Sequence, residues 1–157
     1  MTGSNREIER KFLVRPRLLP ADALRDGAAF EQGYLATEPT VRVRRSVLAG
    51  EAYGYLTIKG PGVINRLELE YAIPPEDARA LLELAKWSLT KVRHRIPFAH
   101  HTWDVDAFTG DHAGLWLAEI ELSREDEPFE VPPWVDREVS LDPRYSNAAL
   151  ARAGCAP

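Results

Sequence analysis

Residues 66–70 read Arg-Leu-Glu-Leu-Glu, so a charged side chain occupies every second position and a leucine lies between. Successive side chains of a β-strand point to opposite faces, so this stretch predicts a strand with one charged and one apolar face. Seven other stretches alternate in a similar way, and most of them also carry charge on one face. The eight predicted strands are residues 7–14, 30–36, 40–47, 53–59, 66–73, 89–98, 102–108 and 115–123.

Eight strands with short connections favour a closed or nearly closed antiparallel β-barrel over an open sheet. The predicted fold class is therefore mainly β, in a single domain over residues 1–157. Helices are predicted at about 21–25, 75–87 and 144–152, and a short extra strand at 138–140. These helices have only the apolar face of the sheet to cover, so they are expected outside and the charged face inside.

Like charges gather on the same strands of this predicted interior. Arg42 and Arg44 form a purely basic pair, whereas Glu119 and Glu121 form a purely acidic one. A merely solvated surface would more often mix the two signs, because neighbouring like charges repel. The pattern indicates a site that holds an anion on one wall and metal ions on another. The inward acids are Glu7, Glu9, Glu68, Glu70, Asp104, Asp106, Glu119 and Glu121, and the inward bases are Lys11, Arg42, Arg44, Lys59, Arg66, Lys91, Arg93 and Arg95.

The overall composition narrows the class of partner. The formal net charge is −4, whereas a nucleic-acid or acidic-membrane binder is normally basic, so neither partner is expected. The single cysteine, Cys155, cannot form an internal disulfide, which is typical of a cytoplasmic protein. No apolar run approaches the roughly 20 residues of a membrane span. The expected assembly is a monomer or a homodimer.

An ordered series of motifs runs from residue 5 to about 150. It begins with Glu-x-Glu-x-Lys at 7–11. It continues with Gln32-Gly33-Tyr34-Leu35, Arg42-Val43-Arg44, Thr57-Ile58-Lys59-Gly60, Arg66-x-Glu68-x-Glu70, Lys91-x-Arg93, Asp104-Val105-Asp106, Glu119-Ile120-Glu121 and Glu138-Val139-Ser140-Leu141. Together these motifs resemble the CYTH-domain family, also called triphosphate tunnel metalloenzymes, and most resemble its short bacterial inorganic triphosphatases.

The resemblance implies an eight-stranded tunnel that binds a triphosphate, with divalent metal ions held by acids. A triphosphate is a dense polyanion, and its binding needs several fixed cations, among which Arg grips phosphate oxygens bidentately. The candidate substrate-binding residues are Lys11, Arg42, Arg44, Lys59, Arg66, Lys91 and Arg93.

Mg²⁺ and Mn²⁺ prefer carboxylate and water oxygens, so one of these ions is the expected cofactor. The candidate metal ligands are Glu7, Glu9, Asp106, Glu119 and Glu121. Three roles are open to Glu68, Glu70, Asp104 and Asp106: metal ligand, water-positioning group or counter-ion. Glu68 and Glu70 are two of the catalytic candidates. Lys91 is the third catalytic candidate, as a general base if its neighbouring arginines depress its pKa.

The predicted reaction is metal-dependent hydrolysis of inorganic tripolyphosphate to pyrophosphate and phosphate. A class IV adenylyl cyclase or a thiamine triphosphatase would use the same charged residues and add recognition of the organic group. The aromatic residues that alternation places near the inward faces are Tyr34, Tyr53 and Tyr55, so a bare triphosphate is the expected substrate. A non-catalytic polyphosphate or nucleotide-binding module is the remaining alternative.

Overall fold

The computed structural model describes residues 5–157, so the first four residues of the predicted domain lie outside the described range. In this range eight antiparallel strands close a barrel in the order β5-β4-β3-β2-β6-β7-β8-β1, and β1 pairs back to β5. This confirms the predicted barrel. The strands are β1 (Arg6–Val14), β2 (Gly27–Thr37), β3 (Thr40–Leu48), β4 (Glu51–Lys59), β5 (Asn65–Ile73), β6 (Trp87–Phe98), β7 (His101–Thr109), β8 (Trp116–Glu121) and the additional β9 (Val135–Glu138).

Two α-helices lie in the described range, α1 (Pro75–Leu84) and α2 (Asn147–Ala153), together with four short 3₁₀ turns. The predicted helix at 21–25 is one of these turns, Ala21–Leu24. Helix α1 ends earlier than predicted because the chain is already extended at Ala85 and Trp87 pairs with β2. None of the helices formed by residues 5–157 is long and apolar enough to cross a membrane.

Helix α1 packs on the outer face of the barrel, where glycines allow a close approach. A Cβ atom on Gly33 of β2 would lie 2.6 Å from the Cβ of Ala85, and one on Gly54 of β4 would lie 3.0 Å from the Cβ of Ala78. Because real Cβ atoms essentially never approach within 3.0 Å, the helix can lie this close only where the strands carry no side chain.

The extra strand β9 lies beside the end of β1, slightly earlier in the chain than the predicted 138–140. Glu138 is opposite Phe12 and Val135 is opposite Val14. Residues 139 and 140 still bond to β1, since the amide of Val139 donates to the carbonyl of Lys11 and the hydroxyl of Ser140 accepts from the Lys11 amide. The strand therefore extends the sheet beyond the closed barrel and fixes the position of Lys11.

The outer face carries the main apolar core, a cluster around Phe12, Trp103, Ile120 and Trp134. A second apolar cluster fills one end of the barrel interior and is covered by Leu150 of α2. Several of its strand residues lie two positions from an inward-facing charged residue, and so face the interior too; Leu89, for example, precedes Lys91 by two residues. The interior is therefore apolar at this end and charged in the rest of the barrel. We call this cluster the apolar plug; it consists of Tyr34, Leu89, Phe108, Leu117, Val139, Tyr145, Leu150 and Ala151.

Candidate active site

The charged part of the barrel interior encloses a cavity of about 380 Å³. Thirteen of the sixteen charged residues that alternation predicts to face inward line it. Period-two strand geometry therefore brings side chains from seven strands onto one surface. These residues are Glu7, Glu9, Lys11, Arg42, Arg44, Lys59, Arg66, Glu68, Glu70, Arg93, Asp104, Glu119 and Glu121.

Three predicted inward residues do not line the cavity. Lys91 and Asp106 are 2% and 1% exposed, and each stands two residues from a member of the apolar plug, Leu89 and Phe108. The side chain of Arg95 is instead 75% exposed, near the opposite end of β6. Along β6 and β7 the interior thus changes from the apolar plug, through a buried ion pair, to the charged cavity.

Arg42 of β3 contacts Thr57 of β4 and Glu70 of β5. One of its terminal nitrogens (Nη2) lies 3.1 Å from the hydroxyl of Thr57 and 3.3 Å from the carboxylate of Glu70. The same hydroxyl donates to Glu70 over 2.9 Å. Thr57 is fully buried, so this network fixes the guanidinium of Arg42 at the cavity wall.

Arg44 has a weaker ionic partner. Its Nη2 lies 3.7 Å from Glu70, and its Nε has no hydrogen-bond partner within the described residues. Its guanidinium carbon lies 4.7 Å from the ring centre of Phe30 and 5.1 Å from that of Tyr55. Burial, with the nearby charge of Arg42, lowers the pKa of Arg44 to about 10, so the side chain stays cationic at neutral pH.

The wall formed by β4, β5 and the start of β1 carries mutually paired charges. The ammonium of Lys59 lies 2.9 Å from Glu7 and 2.9 Å from Glu68. Arg66 also reaches Glu7, with its Nε 3.2 Å from the carboxylate. Burial alone would raise the pKa of Glu7, but Lys59 and Arg66 lower it to about 2, so Glu7 is ionised at neutral pH.

A buried cluster of Lys91, Arg93 and Asp106 joins β6 to β7. Asp106 accepts from Lys91 over 2.6 Å and from two nitrogens of Arg93 over 2.7 and 2.8 Å. Arg93 extends from this cluster into the cavity, where it lies 3.1 Å from Glu119 and 3.1 Å from Asp104. We call Lys91, Arg93 and Asp106 the buried triad.

The pKa values within the buried triad are shifted by its burial and its charges. Burial, opposed in part by Asp106, lowers the pKa of Lys91 to about 8. Burial acts to raise the pKa of Asp106, but Arg93 and Lys91 hold it below its usual value. Both oxygens of Asp106 accept from these two cations, and its role as a metal ligand stays a prediction.

Glu9 and Glu121 lie opposite each other on neighbouring strands β1 and β8. Within residues 5–157 neither carboxylate forms an ion pair, although the adjacent Lys11 lies 3.3 Å from Glu119. Burial and the negative charges of Glu119 and Glu7 raise the pKa of Glu9 well above its usual value. Burial and several acids, Glu7 foremost, also raise the pKa of Glu121. We call Glu9 and Glu121 the uncompensated pair.

The donor set at the uncompensated pair fits a divalent cation. Two like charges facing each other across neighbouring strands are destabilising, and a cation between them would remove that repulsion. Glu119, beside them on β8, is ionised, because Lys11 and Arg93 overcome the effect of burial and hold its pKa well below its usual range. Within residues 5–157 no three acidic, histidine or cysteine side chains form a ready-made metal cage. Mg²⁺ typically uses one or two carboxylates together with substrate phosphates and water, so a complete cage is not required.

The sequence comparison decides the family. The CYTH domain pattern matches residues 5–149, nearly the whole chain. The chain belongs to the CYTH family. It is similar to an inorganic triphosphatase of Acetivibrio thermocellus, with 41% identity over 150 residues that cover 94% of both chains. It is also similar to an inorganic triphosphatase of Nitrosomonas europaea, with 33% identity over 92% of this chain and 96% of that protein.

The structural comparison agrees with the CYTH assignment. The crystal structure of an inorganic triphosphatase superposes with a TM-score of 0.65 and 31% identity, over 92% of this chain and 93% of the other. The resemblance to the CYTH family is thereby confirmed, and so is the barrel with few helices.

Three residues of this CYTH site were missed from the sequence. Thr57 orients Arg42, Asn147 of α2 accepts from Lys91 over 3.1 Å, and Phe30 lies near Arg44. Alternation alone would have placed Phe30 inward, since it precedes Gln32 and Tyr34 by two and four residues. No period predicts Asn147, because it reaches the site from the helix that covers the plug.

Proposed function

We propose that the protein hydrolyses inorganic tripolyphosphate to pyrophosphate and phosphate with the aid of Mg²⁺ or Mn²⁺. The observation that carries this proposal is the enclosed cavity, in which fixed cations face uncompensated carboxylates. Its volume of about 380 Å³ lies at the lower end of the roughly 300–1,000 Å³ of small-molecule sites. The similarity to two proteins named inorganic triphosphatase supports the same reaction.

The cations of the cavity bind the triphosphate. Arg42, Arg44 and Arg93 present guanidinium groups, which match phosphate oxygens in fork geometry. Lys11, Lys59 and Arg66 add positive charge from the other side of the cavity. Carboxylates fix most of these cations before substrate binds, so little side-chain ordering remains to be done on binding.

Glu9 and Glu121 would hold the divalent cation, with Glu119 beside them. A bound ion of this kind neutralises phosphate oxygens and lowers the pKa of an attacking water. Glu7 is less suited to this role, because Lys59 and Arg66 already occupy its carboxylate.

Lys91 is the general base of this proposal, and because it does not line the cavity the proton of the attacking water reaches it through one intervening water. Its pKa of about 8 leaves a small neutral fraction near pH 7. Its ammonium contacts Asn147, which lines the cavity, so Lys91 lies one side chain away from the substrate. Glu70 and Glu68 hold Arg42 and Lys59 in place, and this counter-ion role is the one we assign to them.

A bare triphosphate is favoured over ATP or thiamine triphosphate. Selective recognition of a base or thiazolium ring needs a free stacking platform or a hydrogen-bonding edge. The ring of Tyr55 is already occupied by Arg44, and the hydroxyl of Tyr34 lies 3.4 Å from the buried amide of Gln32. The rings of Tyr55 and Tyr34 are therefore already engaged, with a cation and with the plug. Tyr53 does not line the cavity, and its hydroxyl donates to Glu51 over 2.8 Å.

Phosphate release from tripolyphosphate, thiamine triphosphate and ATP, each with Mg²⁺, Mn²⁺ or a chelator, tests the proposal. We expect the highest kcat/KM on tripolyphosphate and none with the chelator. An equal or higher kcat/KM on ATP or thiamine triphosphate would reassign the substrate. Formation of cyclic AMP from ATP would reveal a cyclase, and tight tripolyphosphate binding without turnover would reveal a binding module.

The cellular setting is part of the same proposal. The net charge of −4 supports a small-molecule substrate rather than a nucleic acid or an acidic membrane. Cys155 without a partner cysteine supports a reducing, cytoplasmic location. Light scattering of the purified protein would distinguish a monomer from a homodimer.

A further inference from the structure

The ring of Phe30 lies close to three cations of the site. Its centre is 4.7 Å from the guanidinium carbon of Arg44, 5.2 Å from that of Arg93 and 6.0 Å from the ammonium of Lys91, which also lies 5.4 Å from the ring centre of Phe108. All three distances to Phe30 are within the roughly 6 Å range of cation–π attraction. Phe30 lies on β2, opposite Lys91 of β6. On the other side, Arg44 of β3 is opposite Gln32, two residues further along the same face of β2. Both neighbouring strands therefore bring cations to the ring.

These cations would otherwise repel one another. Asp106 neutralises part of the charge of Lys91 and Arg93, but the nearest carboxylate of Arg44, on Glu70, is 3.7 Å away. Glu70 is shared with Arg42, which lies nearer to it at 3.3 Å. Arg44 is therefore held mainly by the rings of Phe30 and Tyr55.

An aromatic ring holds a cation without a formal negative charge. A carboxylate in the same place would occupy guanidinium N–H groups, and a polyanion would have to displace it. The negative face of a ring attracts the flat guanidinium and leaves its edge N–H groups free to donate to phosphate oxygens.

We propose that Phe30 is a positioning residue whose ring face holds Arg44, Arg93 and Lys91 together for the triphosphate. This inference rests on the proposed function, because it assigns the three cations to substrate binding and catalysis. Phe30 acts through these side chains, and its effect falls mainly on affinity, through Arg44 and Arg93.

Stepwise fluorination of the ring tests the proposal. Phe30 is replaced by phenylalanine with one, two and three ring fluorines, which weaken the negative face while nearly preserving shape. We expect log(kcat/KM) for tripolyphosphate to fall with each fluorine, to a total loss of about 10-fold carried by KM. The matched control is the same series at Phe98, a partly buried core residue with no cation over its ring within residues 5–157.

Two outcomes would overturn the role of Phe30. One is a flat series at Phe30, and the other is an equal slope at Phe98, which would indicate a packing effect. The dissociation constant of tripolyphosphate, measured by calorimetry on the same variants, separates this result from the proposed reaction. If the unsubstituted protein binds tripolyphosphate but hydrolyses none, the reaction fails, while a graded loss of affinity at Phe30 still supports the positioning role.

Discussion

The buried triad lies behind the cavity, which only its Arg93 reaches, whereas the uncompensated pair lines the cavity, and the two groups differ in how their charges are balanced. In the buried triad, Asp106 accepts from both Lys91 and Arg93 over distances of 2.6–2.8 Å. The uncompensated pair, Glu9 and Glu121, is without an ion-pair partner in the described chain, and the pKa values of both residues are raised. The charges of the buried triad are thus balanced by one another, whereas those of the uncompensated pair need an added cation.

This difference separates charges that the fold itself compensates from charges that it leaves for a ligand to compensate. A charge whose partners are all supplied by the fold contributes to shape and orientation, and its removal leaves an uncompensated neighbour. A charge that lacks partners destabilises the fold and persists where a ligand supplies the missing interaction. The two groups should therefore respond in opposite ways to loss of a single charge.

Substitution in the uncompensated pair should produce the largest loss of activity. We expect Glu121→Gln or Glu9→Gln to lower kcat/KM by at least about 100-fold, since a divalent ion supplies several kcal/mol to such a reaction. The free energy of unfolding without metal should stay equal or rise, because like-charge repulsion is removed. Phosphate release and urea unfolding measure the two quantities.

The matched control is Glu138→Gln, which removes a carboxylate that pairs with Arg10 outside the cavity. Its turnover should match that of the unsubstituted protein. Full turnover of Glu121→Gln at saturating metal would exclude the metal-ligand role of Glu121.

Substitution in the buried triad should instead produce the largest loss of stability. We expect Asp106→Asn to lower the free energy of unfolding by about 3–5 kcal/mol, because two buried cations lose their shared carboxylate. The urea midpoint, compared with that of Glu9→Gln, measures the contrast. Equal stability of the two variants would contradict the distinction between the two groups.

The cation itself should stabilise the protein through the uncompensated pair. At a concentration 100 times its dissociation constant, Mg²⁺ or Mn²⁺ should add about 2.7 kcal/mol to the free energy of unfolding. For a domain of this size that corresponds to a rise in Tm of roughly 5–10 °C. A chelator should reverse the rise, and the double variant Glu9→Gln/Glu121→Gln should show none. A full shift in the double variant would locate the metal elsewhere.

The sequence predicted the strands and their inward residues because a period of two depends only on the local backbone. It did not predict where along each strand the interior changes from charged to apolar. That position depends on how far neighbouring strands are staggered around the barrel, which is a property of the closed sheet. For this reason Lys91 and Asp106, in correct alternation with Arg93 and Asp104, are buried behind the cavity instead of lining it.

The same limit applies to residues that act through others. Phe30 could be assigned to the inward face, but its three cations come from β3 and β6 and meet at the ring only once these strands pair with β2. The balance of charge at Glu7 and Glu9 was also hidden, because they belong to one motif and differ only in their neighbours on other strands. The sequence of one strand thus shows which charges face inward. Which of these charges are paired depends on the neighbouring strands of the assembled barrel.

The smallest expected effect concerns proton transfer by Lys91 within the buried triad. Its pKa of about 8 lies below the ordinary value of 10.5, so the neutral amine becomes more abundant as the pH rises from 7 through 8. If Lys91 accepts the proton of water, kcat should rise several-fold over that interval and level off above it. The variant Lys91→Arg keeps the positive charge beside Asp106 but cannot lose its proton, so its kcat should be lower and independent of pH in this range. A rise with pH that survives in Lys91→Arg would move the base to another group and leave Lys91 as a partner of Asp106 alone.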